Sequence, residues 1–281
     1  MRTVLVLAGL LCGSFLPSFG QQRLQTLHQY LADSTTILVA AHRSVHHLHP
    51  ENSIPAFQAA LDLGVDIIET DVKVTKDGIP VLMHDKTINR TTNGTGNPEE
   101  QTLAELRQFF LKDASGQLTT EKIPTLEELL RLTKGKILID LDMKTDHVEP
   151  VLDVIRKTGT KDQIIFFDDD VAMLKRIQQR DATYRLMPRA HSYANADSLL
   201  RWFSPAIVHI DFTFYNPAVT QLIRQHRSRV WINALGEPDQ LLKRGQSQEV
   251  MTKLLANGAN VIQTDEPALW LTLLTSKGLH P

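Results

Sequence analysis

Nine short apolar runs, most of them separated by a stretch with helical periodicity, restrict this chain to very few architectures. The runs are 37–42, 65–75, 79–84, 136–142, 163–167, 184–188, 206–211, 229–233 and 260–264. Most are apolar at consecutive rather than alternate positions, the pattern of a parallel sheet covered by helices. Helical patterns over 53–63, 126–132, 148–157, 171–179, 196–203, 217–225, 239–256 and 267–274 alternate with them, and a polar-faced helix over 22–32 precedes the first. One gap departs from this rhythm. Only Lys76-Asp77-Gly78 separates the second and third runs. A parallel crossover needs a dozen or more residues, so 79–84 must return antiparallel as a hairpin. Eight parallel strands remain. The expected fold is α/β, a (β/α)8 TIM barrel with a small insertion, about 79–122, after strand 2.

Composition narrows the class further. A chain of 281 residues, 42% hydrophobic and 22% charged, has the chemistry of an ordinary globular protein. Its formal net charge of -2 gives no electrostatic footprint for nucleic acid or an anionic membrane surface. Residues 1–20 differ from the rest. Arg2 precedes an apolar run from Val4 to Leu11, and Ser18-Phe19-Gly20 supplies small residues. This is the layout of a secretory signal peptide cleaved near Gly20, with export to the periplasm or beyond expected. The run is too short for stable membrane insertion. Residues 21–281 would then form one domain. Cys12, the sole cysteine, lies in the segment to be removed, which excludes disulfides, a thiolate nucleophile and Cys-ligated zinc from the mature chain.

In such a barrel, chemistry sits at the C-terminal ends of the strands. The first ends at His42-Arg43, the second near Glu69-Thr70-Asp71, and the next parallel one at Asp140-Leu141-Asp142-Met143-Lys144. Alternation along a strand puts Glu69 and Asp71 on one side and Thr70 on the other. Two buried carboxylates at that spacing are costly unless a cation neutralises them. Asp142, at the same level on the neighbouring strand, adds a third. Three carboxylates without a thiolate favour one hard divalent cation, Mg2+ or Ca2+. The hairpin pairs residues near Asp71 with Met83 and His84, so His84 arrives at the same mouth as His42. Two imidazoles flanking a phosphate can serve as general base and general acid. Arg43 suits a phosphate clamp, because a guanidinium fork matches phosphate oxygens. Lys144 is either a second positive charge or an ion-pair partner of Asp140 or Asp142. Phe167, Arg189, His209, Asp211, Trp231 and Asn233 end later strands and are expected to build the far wall. Trp231 there is a candidate substrate contact, as an apolar surface or a cation–π face. The histidine-rich stretch Val45-His46-His47-Leu48-His49 is either a solvated loop or an accessory contact at the mouth.

The ordered set Ala41-His42-Arg43, Pro50-Glu51-Asn52-Ser53, Glu69-x-Asp71-Val72, Thr75-Lys76-Asp77-Gly78, Val81-Leu82-Met83-His84-Asp85, Arg90-Thr91-Thr92-x-Gly94-x-Gly96, Ile123-Pro124-Thr125-Leu126-Glu127-Glu128 and Thr264-Asp265-x-Pro267 resembles the glycerophosphodiester phosphodiesterase family. The resemblance covers nearly the whole chain after residue 20. It implies a barrel with an insertion after strand 2, a divalent metal on Glu69, Asp71 and Asp142, and catalytic His42 and His84. It implies hydrolysis of a small glycerophosphodiester to glycerol 3-phosphate and an alcohol. Two other readings use the same residues: lysophospholipase D-like cleavage through a cyclic phosphate, and a barrel that binds phosphoesters without turnover. Two positions depart from the family pattern. Ser44 stands where the family has Gly, so altered backbone geometry beside Arg43 is expected. Asp142 stands where the family has Glu, one methylene longer.

Overall fold

A computed structural model of the chain describes residues 19–281. The expected signal segment lies outside the described residues except for Phe19 and Gly20, which open the first helix. The strands are β1 (Leu38–Ala41), β2 (Ile67–Val74), β3 (Pro80–Leu82), β4 (Leu138–Met143), β5 (Ile164–Asp168), β6 (Arg185–Ala190), β7 (Ile207–Ile210), β8 (Arg229–Asn233) and β9 (Val261–Thr264). The helices are α1 (Phe19–Ala32), α2 (Ile54–Leu63), α3 (Leu103–Leu106), α4 (Leu126–Thr133), α5 (Val148–Thr158), α6 (Val171–Arg180), α7 (Tyr193–Phe203), α8 (Pro217–Gln225), α9 (Glu237–Lys243), α10 (Ser247–Leu255) and α11 (Pro267–Ser276). The sheet runs β1-β9-β8-β7-β6-β5-β4-β2 and closes through a β1–β2 pairing. All eight strands in that ring are parallel, and β3 pairs antiparallel with β2, Val72 opposite Leu82. The chain is a (β/α)8 barrel.

The expected helix over 239–256 is two helices. Arg244-Gly245-Gln246 separates α9 from α10, and Gly245 takes φ 78°, a left-handed conformation that ends a helix at little cost only for glycine. Helix α7 begins three residues earlier than its apolar pattern suggests, because the Ser192 side chain accepts from the Asn195 N–H and caps it there.

Strand alternation sorts the core into two layers. Val39, Ala41, Ile68, Ile139 and Leu141 face outward and pack beneath the helices. Leu38, Ala40, Ile67, Leu138, Ile165, Met187, Ile207, Trp231 and Val261 face inward and fill the barrel. Leu27 and Leu31 of α1 join this inner cluster and close the barrel at its N-terminal end. The buried Arg229 guanidinium fixes that closure by donating to the carbonyls of Leu31 (3.0 Å), Thr36 (2.8 Å) and Asn260 (2.9 Å). A buried charge is tolerable when its donors are satisfied, and the carbonyl end of α1 carries the matching negative partial charge.

The segment between β3 and α4 forms a small core of its own from Val81, Met83, Ile88, Leu106, Leu111 and Ile123. Gly94 is required there, since a Cβ would lie 2.4 Å from the Phe109 ring.

Candidate active site

One step above its apolar layer the barrel interior turns acidic. Ile67 sits opposite Leu138 at the lower level, Glu69 opposite Asp140 at the next, and Asp71 opposite Asp142 at the top. Alternation carries all six inward. Carboxylate oxygens of Glu69, Asp71 and Asp142 lie within 4.8 Å of one another. Burial, and then the Asp71 charge, hold the Glu69 carboxyl well above its ordinary value. Asp140 is raised by burial and then by Asp142. Asp142 is also raised by burial, although Lys144 opposes the shift. Lys144 Nζ lies 2.6 Å from Asp142 and 3.9 Å from Asp71, so its partner is Asp142 and not Asp140.

Five buried side-chain nitrogen or oxygen atoms lack a hydrogen-bond partner among the described residues. Four of them belong here: Arg43 Nε, Asp71 Oδ1, Asp140 Oδ1 and His209 Nδ1. Such orphans are rare in folded proteins, and water, an ion or a ligand can satisfy them. The clustered donor set is all carboxylate, with two orphaned oxygens on Asp71 and Asp140, and such a set fits a hard divalent cation.

His42 and His84 line the same cavity, of about 300 Å3. Each has a carboxylate behind it. His42 Nδ1 donates to Asp265 Oδ1 at 2.8 Å, and His84 Nδ1 donates to Asp85 Oδ1 at 2.7 Å. A carboxylate on Nδ1 fixes the ring tautomer and leaves Nε2 as the nitrogen free for proton transfer. Arg43 stands at the edge of this group. Its backbone N–H donates to Glu69 Oε2 (2.7 Å), and its guanidinium meets Glu51 (3.0 Å) and Asp71 (3.7 Å). Asn52 Nδ2 donates to Asp71 Oδ2 (3.0 Å) and steadies that carboxylate.

Ser44 takes a left-handed conformation, φ 70°, as does Arg43 beside it, φ 48°, and the buried Ser44 hydroxyl donates to the Ala56 carbonyl at 2.8 Å. Of the residues expected on the far wall, Phe167, Arg189, His209, Trp231 and Asn233 line the cavity. Asp211 instead holds Arg189, 2.6 Å away. Trp231 is 1% exposed and serves as floor, not as an open aromatic face. Its indole N–H donates to Asn233 Oδ1 (3.1 Å) and Gln263 Oε1 (3.2 Å). Burial lowers the His209 imidazole to about 4, so it stays neutral near pH 7. In the histidine-rich loop, His46 comes within 3.6 Å of Asp265, His47 pairs with Glu266 at 2.9 Å, and Leu48 is exposed.

Sequence reasoning named Asp140 only as a strand-end residue and possible partner of Lys144, and it gave no site role to Gln263, Asp168 and Asp169 in the cavity wall or to Asp85 and Asp265 behind the imidazoles. Strand parity was the available signal for two of them: Asp140 is two residues from Asp142, and Gln263 two from the inward Val261.

A parallel barrel whose mouth combines a carboxylate cluster with two carboxylate-backed imidazoles is equipped for phosphoester chemistry. The similarities to known proteins agree. Residues 42–269 match the Glycerophosphoryl diester phosphodiesterase family, and the chain belongs to that family. A glycerophosphodiester phosphodiesterase of Caldanaerobacter subterraneus subsp. tengcongensis is 38% identical over 136 residues, 46% of this chain and 56% of that protein. The chain thus spans about half the length of that curated relative. A glycerophosphoryl diester phosphodiesterase of Parabacteroides distasonis shares the fold, with a TM-score of 0.75 at 23% identity over 92% of this chain and 93% of that one. An Oleispira antarctica phosphodiesterase, solved with the product sn-glycerol-3-phosphate, has a TM-score of 0.74 at 22% identity over 87% and 99% of the two chains.

Proposed function

We propose that this chain is a divalent-cation-dependent enzyme that hydrolyses water-soluble glycerophosphodiesters to glycerol 3-phosphate and an alcohol. The observation that carries this reading is the shared cavity: Glu69, Asp71 and Asp142 converge in it beside His42 and His84. A hard cation, Mg2+ or Ca2+, held by those three carboxylates supplies positive charge for the phosphate oxygens. Arg43 adds a guanidinium at the rim, and Lys144 an ammonium that Asp142, Asp71 and Glu69 keep charged against the opposing effect of burial. One imidazole accepts the proton of the vicinal glycerol hydroxyl as that oxygen attacks phosphorus. The other protonates the departing alcohol. Water then opens the cyclic phosphate with the two roles exchanged. The Asp265 and Asp85 carboxylates stabilise each imidazolium as it forms.

The small cavity, with charged and polar side chains predominating, supports a compact polar substrate over a lysophospholipid. The names of the relatives and the product bound to the Oleispira protein support the same reaction. We extend the proposal to export, with cleavage near Gly20. Among the described residues no helix is long and apolar enough to cross a membrane.

The test is an assay of the protein, from residue 21 onward, on glycerophosphocholine and lysophosphatidylcholine with and without EDTA. Glycerol 3-phosphate release from the first substrate, abolished by EDTA, is expected. Activity that survives both EDTA and Glu69→Ala would sink the cation mechanism. His42→Ala and His84→Ala should each lower kcat by about 100-fold or more while cation binding, followed by calorimetry, persists. N-terminal sequencing of the exported protein locates the cleavage.

A further inference from the structure

The Arg90 guanidinium holds two carboxylates from different parts of the chain. It donates to Glu51, on the loop after β1, from Nη1 (2.7 Å) and Nη2 (2.8 Å). It donates to Asp85, just after β3, from Nε (2.7 Å) and Nη2 (3.1 Å). Both carboxylates also serve residues of the site. Asp85 Oδ1 accepts from His84 Nδ1, and Glu51 Oε1 accepts from Arg43 Nη1. One planar group thus completes a continuous chain, Arg43–Glu51–Arg90–Asp85–His84. It joins the first strand's loop to the far end of the hairpin across 39 residues of sequence separation between Glu51 and Arg90.

The chemistry of this link is specific. A guanidinium presents donors in a fixed plane, so two bidentate contacts fix the directions of both carboxylates at once. An ammonium is a single point and cannot do so. The Arg90 side chain is half exposed, and exposed ion pairs contribute little to folding stability. What the link constrains is geometry. Without Arg90, Asp85 is free to turn toward water and His84 loses the carboxylate direction that sets its ring. Glu51, released, is free to take the whole Arg43 guanidinium away from the mouth.

We propose that Arg90 is a positioning residue that keeps the His84 imidazole and the Arg43 guanidinium in mutual register, a contribution of the insertion beyond His84 itself. The proposal rests on the assignment of His84 as acid or base and Arg43 as phosphate clamp.

The test compares wild type, Arg90→Ala, Arg90→Lys, Asp85→Asn, His84→Ala and the Arg90→Ala/Asp85→Asn double variant on glycerophosphocholine. Calorimetric Mg2+ or Ca2+ binding and 15N-histidine NMR accompany the kinetics. Arg90→Ala should lower kcat by about 10- to 100-fold, the range for lost orienting partners, with cation affinity retained. Arg90→Lys should recover little, and millimolar guanidinium should restore part of the Arg90→Ala activity but none to His84→Ala. The effects of Arg90→Ala and Asp85→Asn should be strongly non-additive, since they break one chain. In the NMR experiment the His84 signals should shift or broaden in Arg90→Ala while those of His42, held by Asp265, stay in place. Arg90→Ala kinetics within twofold of wild type, additive losses, or unchanged His84 signals would overturn the proposal. A fully active His84→Ala would instead reject the underlying assignment. If the wild type does not turn over, the NMR comparison still decides whether Arg90 positions His84.

Discussion

Ser44, beside Arg43, sets a backbone cost against a side-chain hydrogen bond. Its left-handed φ costs a residue with a Cβ about 1–2 kcal/mol relative to glycine. The hydrogen bond from its buried hydroxyl to Ala56 contributes about 1 kcal/mol in return. Ser44→Gly removes both and should leave the urea midpoint nearly unchanged. Ser44→Ala removes only the bond and should destabilise the fold by about 1 kcal/mol. Equal losses in both variants would show that the strain is not what the hydroxyl offsets. Trp231 lines the cavity from a buried position, with its N–H held by Asn233 and Gln263.

At the scale of elements, β2 and β4 carry the site because their register is exact to the residue. A shift of one position would turn Glu69, Asp71, Asp140 and Asp142 outward under the helices, where no cation could neutralise them. The β2–β3 hairpin has the complementary role. The Met83 N–H donates to the Asp71 carbonyl, and this pairing sets His84 beside the acids. The break between α9 and α10 has a local signal that the expected helix over 239–256 runs through: Lys243-Arg244 precede Gly245, and no apolar side chain stands between Leu242 and Val250. Gly245→Ala forces a Cβ into the left-handed region and should lower stability by about 1–2 kcal/mol. Its kcat on glycerophosphocholine should match wild type. A thermal melt combined with that assay separates the two effects.

For the whole molecule, four inward carboxylates make the cation-free barrel a strained electrostatic object. Glu69, Asp140 and Asp142 all have raised folded values, with burial the first cause in each case. The folded state therefore binds protons that the unfolded state releases. Their contribution to stability is present below the ordinary carboxylate range and is lost as pH rises through the raised values. In EDTA, the melting temperature should fall as pH rises toward neutrality. Saturating Mg2+ or Ca2+ should raise it most at neutral pH and flatten that dependence, because a ligand of the folded state stabilises by mass action. His209 works in the opposite direction, being neutral when folded down to about 4. The difference between melts with and without cation isolates the carboxylates. Glu69→Gln should raise the cation-free melting temperature and weaken the response to cation. A melting curve in EDTA that is independent of pH would count against this electrostatic account.

The sequence by itself determined the barrel reading, because eight two-face apolar runs alternating with helical patterns fit helix-covered parallel strands, and a three-residue gap is too short for a parallel crossover. It also placed His42, Glu69, Asp71, Asp142 and His84 at one mouth, since strand parity and hairpin pairing are counting rules that need no coordinates. It could not supply the partners that make those groups competent. Asp265 lies 223 residues from His42, and Glu51 lies 39 from Arg90; closure of the ring and docking of the insertion bring them together. Local pattern carries no information about contacts of that range. Only the tertiary structure decided that Trp231 is floor, that Asp140 joins the acids without a partner, and that one arginine ties the two sides of the site.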